Sequence, residues 1–146
     1  MPNRPPALLA VLAHPDDEAF RCGGTLARMA RRGVRVHLLT ATRGGAGSCG
    51  DPPLCTPEEL PALRERELRS ACAALGIEPP VLLDYRDGAL IEVDEEEAVA
   101  QVMGIIRELR PQVLLTWPPD GVSGHSDHLT VSCWTDVAFR RIDGPP

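Results

Sequence analysis

The sequence predicts a three-layer α/β fold, a parallel sheet with helices on both faces. Four short apolar runs alternate with longer segments of helical periodicity. The runs are continuously apolar rather than alternating, as in strands covered on both faces. The chain has 146 residues, 43% of them hydrophobic, enough for one domain with a single core.

The first strand is read over residues 7–13, the second over 34–41, the third over 81–85 and the fourth over 112–116. The first helix spans 17–32 and stops at Gly33. Thr56-Pro57-Glu58-Glu59 is a capping-box start, and Pro61 then predicts a short turn before a helix that runs to Leu75 and stops at Gly76. Leu68, Cys72 and Leu75 form its apolar stripe. The third helix starts at Asp94, with Glu97 three residues on, presents Val99, Val102, Met103 and Ile106, and ends before Pro111. The fourth begins near Ser126 and carries Leu129, Cys133 and Val137. Right-handed crossovers make the sheet parallel and Rossmann-like, and the common doubly wound order places the strands 3-2-1-4. The two longest irregular stretches, 43–55 and 117–124, both follow strand C-terminal ends, where open α/β sheets place ligands. Asp143-Gly144-Pro145-Pro146 reads as a linker, and a four-stranded sheet is small, so the chain is expected to be part of a longer one.

Composition excludes several classes. The net charge of −6 offers no electrostatic grip on nucleic acid or anionic lipid. All fifteen basic residues are Arg, a pattern of GC-rich coding rather than of function. The apolar run after Arg4 leads straight into charged residues and reads as a buried strand, not a secretion signal. No apolar run reaches the length of a membrane span. Five cysteines, an odd number, fit a reducing cytoplasm.

Chemistry concentrates in two loops. His14-Pro15-Asp16-Asp17-Glu18 lies where the first strand gives way to the first helix. The acids there would cap that helix, but capping does not account for a histidine at the strand end. His14 and Asp17 are three residues apart, so one turn brings both to one metal, with Asp16 between them on the open side as a base. Gly124-His125-Ser126-Asp127-His128 repeats the three-residue spacing after the fourth strand, and these loops hold three of the four histidines. His37 lies inside the second strand and reads as packed or hydrogen-bonded. With strands one and four adjacent, the two loops face each other across one crevice. Three nitrogen and carboxylate ligands with an open water position describe a catalytic zinc site. A remaining carboxylate can shuttle the proton and a histidinium can stabilise the oxyanion, so amide hydrolysis is the natural reaction class.

The sequence resembles the LmbE-like, or PIG-L-type, N-acetylglucosaminyl deacetylases. The resemblance rests on Ala-His-Pro-Asp-Asp-Glu at 13–18 and Gly-His-Ser-Asp-His at 124–128, with support from Thr-Arg-Gly-Gly-Ala-Gly at 42–47, Arg-Glu-Arg-Glu at 64–67 and Leu-Asp-Tyr-Arg-Asp-Gly at 83–88. It implies His14, Asp17 and His128 as ligands of zinc, or of another divalent metal such as Fe2+, and Asp16 as general base. His125 then stabilises the oxyanion or helps protonate the leaving amine, and Asp127 orients its neighbours. Arg64 and Asp87 line the sugar pocket, and the substrate is a small N-acetylated sugar conjugate. Two departures stand out. Gly45 occupies a place where the family often has Glu, and the family's C-terminal part, which helps wall the pocket, lies beyond this N-terminal portion of the domain.

Other features read more plainly. Gly45–Gly50 spells G-x-G-x-x-G but follows the second strand and runs into Asp51-Pro52-Pro53, which argues against dinucleotide binding. Cys49 and Cys55 are free loop thiols able to pair on oxidation, whereas Cys22, Cys72 and Cys133 read as core. Trp117 is either a sugar-stacking wall or packing over the sheet edge. Arg66 and Arg69 belong to a solvated face. Two rival functions are a non-catalytic sugar- or nucleotide-binding module, which needs no metal, and a metal hydrolase of another bond. Phosphoester cleavage commonly uses two metals with bridging carboxylates.

Overall fold

A computed structural model describes residues 5–142; the linker read at 143–146 lies outside them. The elements are β1 (Ala7–Leu12), α1 (Asp17–Arg31), β2 (Arg35–Thr42), α2 (Leu60–Leu75), β3 (Val81–Tyr85), a short 3-10 turn (Leu90–Glu92), α3 (Glu95–Leu109), β4 (Val113–Leu115) and α4 (Ser126–Ile142). The four strands form one parallel sheet in the order β3-β2-β1-β4, as the topology rule predicts. Helices α1 and α2 pack together, as do α3 and α4, which gives the three layers.

β1 is central, and all six of its residues are buried. Leu9, Leu38, Leu39, Leu26, Leu68 and Val102 make the heart of the core. The capping box forms as read: Glu59 Oε2 accepts from Thr56 N–H at 3.0 Å and Thr56 Oγ1 accepts from Glu59 N–H at 3.3 Å. Pro61 sits in the first turn of α2, where its missing N–H is harmless. Asp94 caps α3 by accepting from Glu97 N–H at 2.9 Å.

Three expectations are corrected. β3 and β4, the edge strands of the sheet, are not covered on both faces: Val81 is 42% and Val113 52% exposed. The buried face of α4 is Val131, Trp134 and Ala138; of the expected Leu129, Cys133 and Val137, only half-buried Val137 packs against the core. The apolar spacing is sound, but the buried stripe is rotated around the helix and includes polar Thr130, Ser132 and Thr135. Cys133 is therefore exposed; Cys72 is buried and Cys22 half-buried. Leu129 and Phe139, with Val113 and Trp117, instead line an open cavity of about 740 Å³ along the β4 edge. Among the described residues, no helix is long and apolar enough to cross a membrane.

Candidate active site

β1 and β4 are neighbours, so the loops leaving their C-terminal ends meet. The acids after β1 bond backward into the loop rather than forward onto α1. Asp17 Oδ2 accepts from the N–H groups of Ala13 (3.1 Å) and His14 (2.9 Å), and Glu18 Oε2 accepts from Asp16 N–H at 3.0 Å. Asp16 occupies the N-cap position, yet its side chain makes no capping bond. The capping explanation of this cluster therefore fails in detail.

His14 and His128 each have one ring nitrogen committed to an acceptor. His14 Nε2 lies 2.9 Å from Asp127 Oδ2 and 3.1 Å from Asp87 Oδ1. Carboxylates only accept here, so Nε2 carries the proton and Nδ1 is bare in the neutral ring. His128 Nδ1 lies 3.2 Å from the Gly121 carbonyl, which leaves its Nε2 bare in the same way. The two bare nitrogens face each other at 3.3 Å. The Asp17 carboxylate lies beside them and turns one oxygen toward each ring, Oδ2 3.7 Å from His14 Nδ1 and Oδ1 3.6 Å from His128 Nε2. Ligand-to-metal distances of about 2.0–2.2 Å in a tetrahedral site require ligands about 3.3–3.6 Å apart. Two lone pairs aimed at one point beside a carboxylate call for a cation between them, and the residues fit a divalent metal.

Without a metal, a proton serves as that cation. Burial works against the charge on His14, but hydrogen bonds to Asp87 and Asp127 and the Asp17 charge prevail, and its pKa is raised to about 9. His128 is held below the ordinary histidine value, mainly by burial. The His14 proton in turn pulls Asp87 down to about 2. Asp16 stands above the usual carboxylate range because partial burial outweighs the pull of Arg64.

His125 also brings a nitrogen within 4.8 Å of those of His14 and His128. Its Nδ1 accepts from Asp127 N–H at 3.1 Å, so the neutral ring carries its proton on Nε2 and offers a donor rather than a lone pair. That bond favours Asp17 over His125 as the third ligand. Asp87 and Asp127 form another cluster with His14, but their oxygens anchor backbone: Asp127 accepts from Gly88 N–H (2.8 Å) and Leu90 N–H (3.2 Å), and Asp87 from Ala46 N–H (2.8 Å). Asp127 is fully buried.

Arg64 turns its guanidinium toward the loop after β1. It donates to Asp16 Oδ2 at 2.8 Å, to the Pro15 carbonyl at 2.5 Å and to the Gly44 carbonyl at 2.9 Å. Arg64 and Asp87, expected to line the sugar pocket, are thus largely occupied inside the protein. Trp117 resolves as packing: its ring stacks on His128 at 3.8 Å and 8°, and is buried. The part played by Trp117 and the Gly121 carbonyl in holding His128 lies outside any local sequence pattern. The open side is a 480 Å³ cavity lined by His14, Asp16, Asp17, Phe20, His125 and His128. Phe20, 83% exposed, also borders a 340 Å³ cavity beside Arg64. The Gly45–Gly50 stretch lies in the loop between β2 and α2 and does not open a helix. Cys49 and Cys55 are free, half-buried thiols in that loop.

The sequence profile of the PIG-L family, described as GlcNAc-PI de-N-acetylase, matches residues 9–139. The chain belongs to this family. A Catenulispora acidiphila protein named 1D-myo-inositol 2-acetamido-2-deoxy-alpha-D-glucopyranoside deacetylase 2 is 40% identical over 87% of this chain and 49% of its own length. The deacetylase of the same name without the number, from Streptomyces avermitilis, is 39% identical over all of this chain and 59% of its own length. The chain thus spans about half the length of the curated relatives it matches. Among solved structures, that of N,N'-diacetylchitobiose deacetylase from Pyrococcus horikoshii, complexed with its inhibitor, matches with a TM-score of 0.82 at 25% identity. That match covers 92% of this chain and 49% of the other.

Proposed function

We propose that this PIG-L family chain holds a divalent metal, zinc above all, through His14, Asp17 and His128, and removes the acetyl group from an N-acetylglucosamine-type conjugate. The observation that carries the reading is the pair of bare imidazole nitrogens 3.3 Å apart beside Asp17. The names of the relatives support the substrate class, an N-acetylated amino sugar joined to a small aglycone.

A metal bound there makes hydroxide available near neutral pH and polarises the amide carbonyl. Asp16 Oδ1, the oxygen that Arg64 does not hold, accepts the proton of the attacking water and returns it to the leaving nitrogen. His125 presents Nε2–H to the developing oxyanion. Asp127 and Asp87 hold the His14 ring in one tautomer, and Arg64 steadies Asp16. The exposed Phe20 offers an apolar face to the sugar at the cavity mouth. Five cysteines outside any disulfide are consistent with a cytoplasmic setting.

The test is release of free amine from a panel of N-acetylglucosamine conjugates, with and without a chelator, together with the metal content of the purified protein. Chelator-sensitive release is expected. Asp16→Ala should lower the rate by about a hundred- to ten-thousand-fold while the metal stays bound. A protein that binds N-acetylated sugars but carries no metal and releases no amine would instead support the non-catalytic binding module.

A further inference from the structure

Glu18 is a fully buried carboxylate to which the chemistry above gives no task; it is 1% exposed. Its Oε2 accepts from the backbone N–H of Asp16 at 3.0 Å. Asp16 is one of few non-glycine residues here in the left-handed region, with φ 96° and ψ −25°. Such a conformation costs on the order of 1–3 kcal/mol and persists only where its surroundings enforce it. An N-cap residue ordinarily has extended backbone and folds its side chain onto the first turn. At Asp16 the carboxylate is instead turned off the helix end, toward Arg64 and the cavity that holds His14 and His128. Two groups enforce this. Arg64 holds Asp16 Oδ2 and the Pro15 carbonyl, and Glu18 holds the Asp16 amide from the buried side. Both grip the Pro15–Asp16 peptide, Arg64 at its carbonyl and Glu18 at its N–H, and Glu18 is the one of the two that is fully buried.

We propose that Glu18 is the positioning residue that holds Asp16 in its left-handed conformation, so that the Asp16 carboxylate faces the cleft instead of capping α1. This rests on the reading of Asp16 as the base, but its physical content is a backbone restraint that exists without metal or substrate.

The test is therefore made on the metal-free protein, by amide hydrogen exchange followed by NMR. Glu18→Ala should speed exchange at the Asp16 amide roughly tenfold, the loss of one buried hydrogen bond, while Leu9 and Val11 in β1 keep their protection. Glu18→Gln, which keeps an acceptor oxygen, should retain the Asp16 protection. Unchanged exchange at Asp16 in Glu18→Ala, or a rise shared equally by Leu9 and Val11, would overturn the proposal. Should Glu18→Ala not fold, Glu18→Leu, which keeps the buried volume without an acceptor, is compared with Glu18→Gln at the Asp16 amide, and a second comparison tests the strain itself. Asp16→Gly and Asp16→Ala both lack the carboxylate, but only Ala bears the left-handed penalty, so the Gly variant should have the higher Tm. Equal Tm values would mean that no strain is being held. Exchange as expected without any amine release would sink the deacetylase reading and leave the positioning role standing.

Discussion

A histidine serves a metal only when its second nitrogen is spoken for. In the proposed site that task at His14 falls to Asp87 and to Asp127, which carries no exposed surface and gathers His14 Nε2 and the N–H groups of Gly88 and Leu90. One carboxylate thus ties the strand end at β1, the loop after β3 and the start of α4. Asp127→Ala leaves the buried Leu90 N–H without its acceptor, frees the Gly88 N–H and leaves His14 Nε2 with Asp87 alone, so urea denaturation should show a loss of about 1–3 kcal/mol. Asp127→Asn keeps one acceptor oxygen and should lose less stability. It no longer offers His14 an anionic partner, so its metal affinity should fall by about 10–100-fold in a competition titration. Equal metal affinity in Asp127→Asn and wild type would show that the contact to His14 is only structural.

The elements carry their functional groups at their ends, and the loops between them are fastened to one another. The loop after β2 meets the loop after β1 through Arg64, whose guanidinium passes over Gly44. Gly44 has φ +68°, and a Cβ built there would lie 2.1 Å from Arg64 Nη1. Gly44→Ala should displace the guanidinium and cost about 1 kcal/mol for the left-handed backbone alone. A fall in Tm with a loss of turnover larger than any change in KM is the expected outcome. Unaltered kinetics would detach this loop from the placement of Asp16. The element boundaries were largely legible in the sequence because Gly33, Thr56, Gly76 and Asp94 are local signals whose chemistry acts within a turn. The face of α4 was not. Its buried side mixes Thr130, Ser132 and Thr135 with Val131 and Trp134, and Ser132 is satisfied by the Trp117 carbonyl at 2.7 Å, a partner that only the folded chain brings near.

At the scale of the whole molecule, the strand order brings His14 and His128 into contact across 114 positions of sequence. The same order leaves β4 as an edge. Val113 (52% exposed), Leu129 (37%) and Phe139 (58%) line the open cavity beside it. An apolar groove next to an unpaired edge strand is a sticky surface in water. The protein should enhance the fluorescence of an apolar-surface dye, and Val113→Lys with Phe139→Glu should remove most of that signal without altering metal content. Dye binding unchanged by that pair would place the exposed apolar surface elsewhere.

The sequence by itself determined the α/β class, the strand order and the histidine and carboxylate pairs of the two loops. Periodicity, capping and right-handed crossover act on short segments or on general topology, and so leave marks in the linear text. Tertiary structure alone decided which nitrogen of each histidine is bare, that Arg64 and Asp87 turn inward to Asp16 and His14, that Trp117 backs His128, and that Glu18 holds the Asp16 backbone. Each of these depends on hydrogen-bond direction or ring packing, whether the groups are two residues apart or more than a hundred. Such contacts are a property of the packed chain and leave no spacing to read.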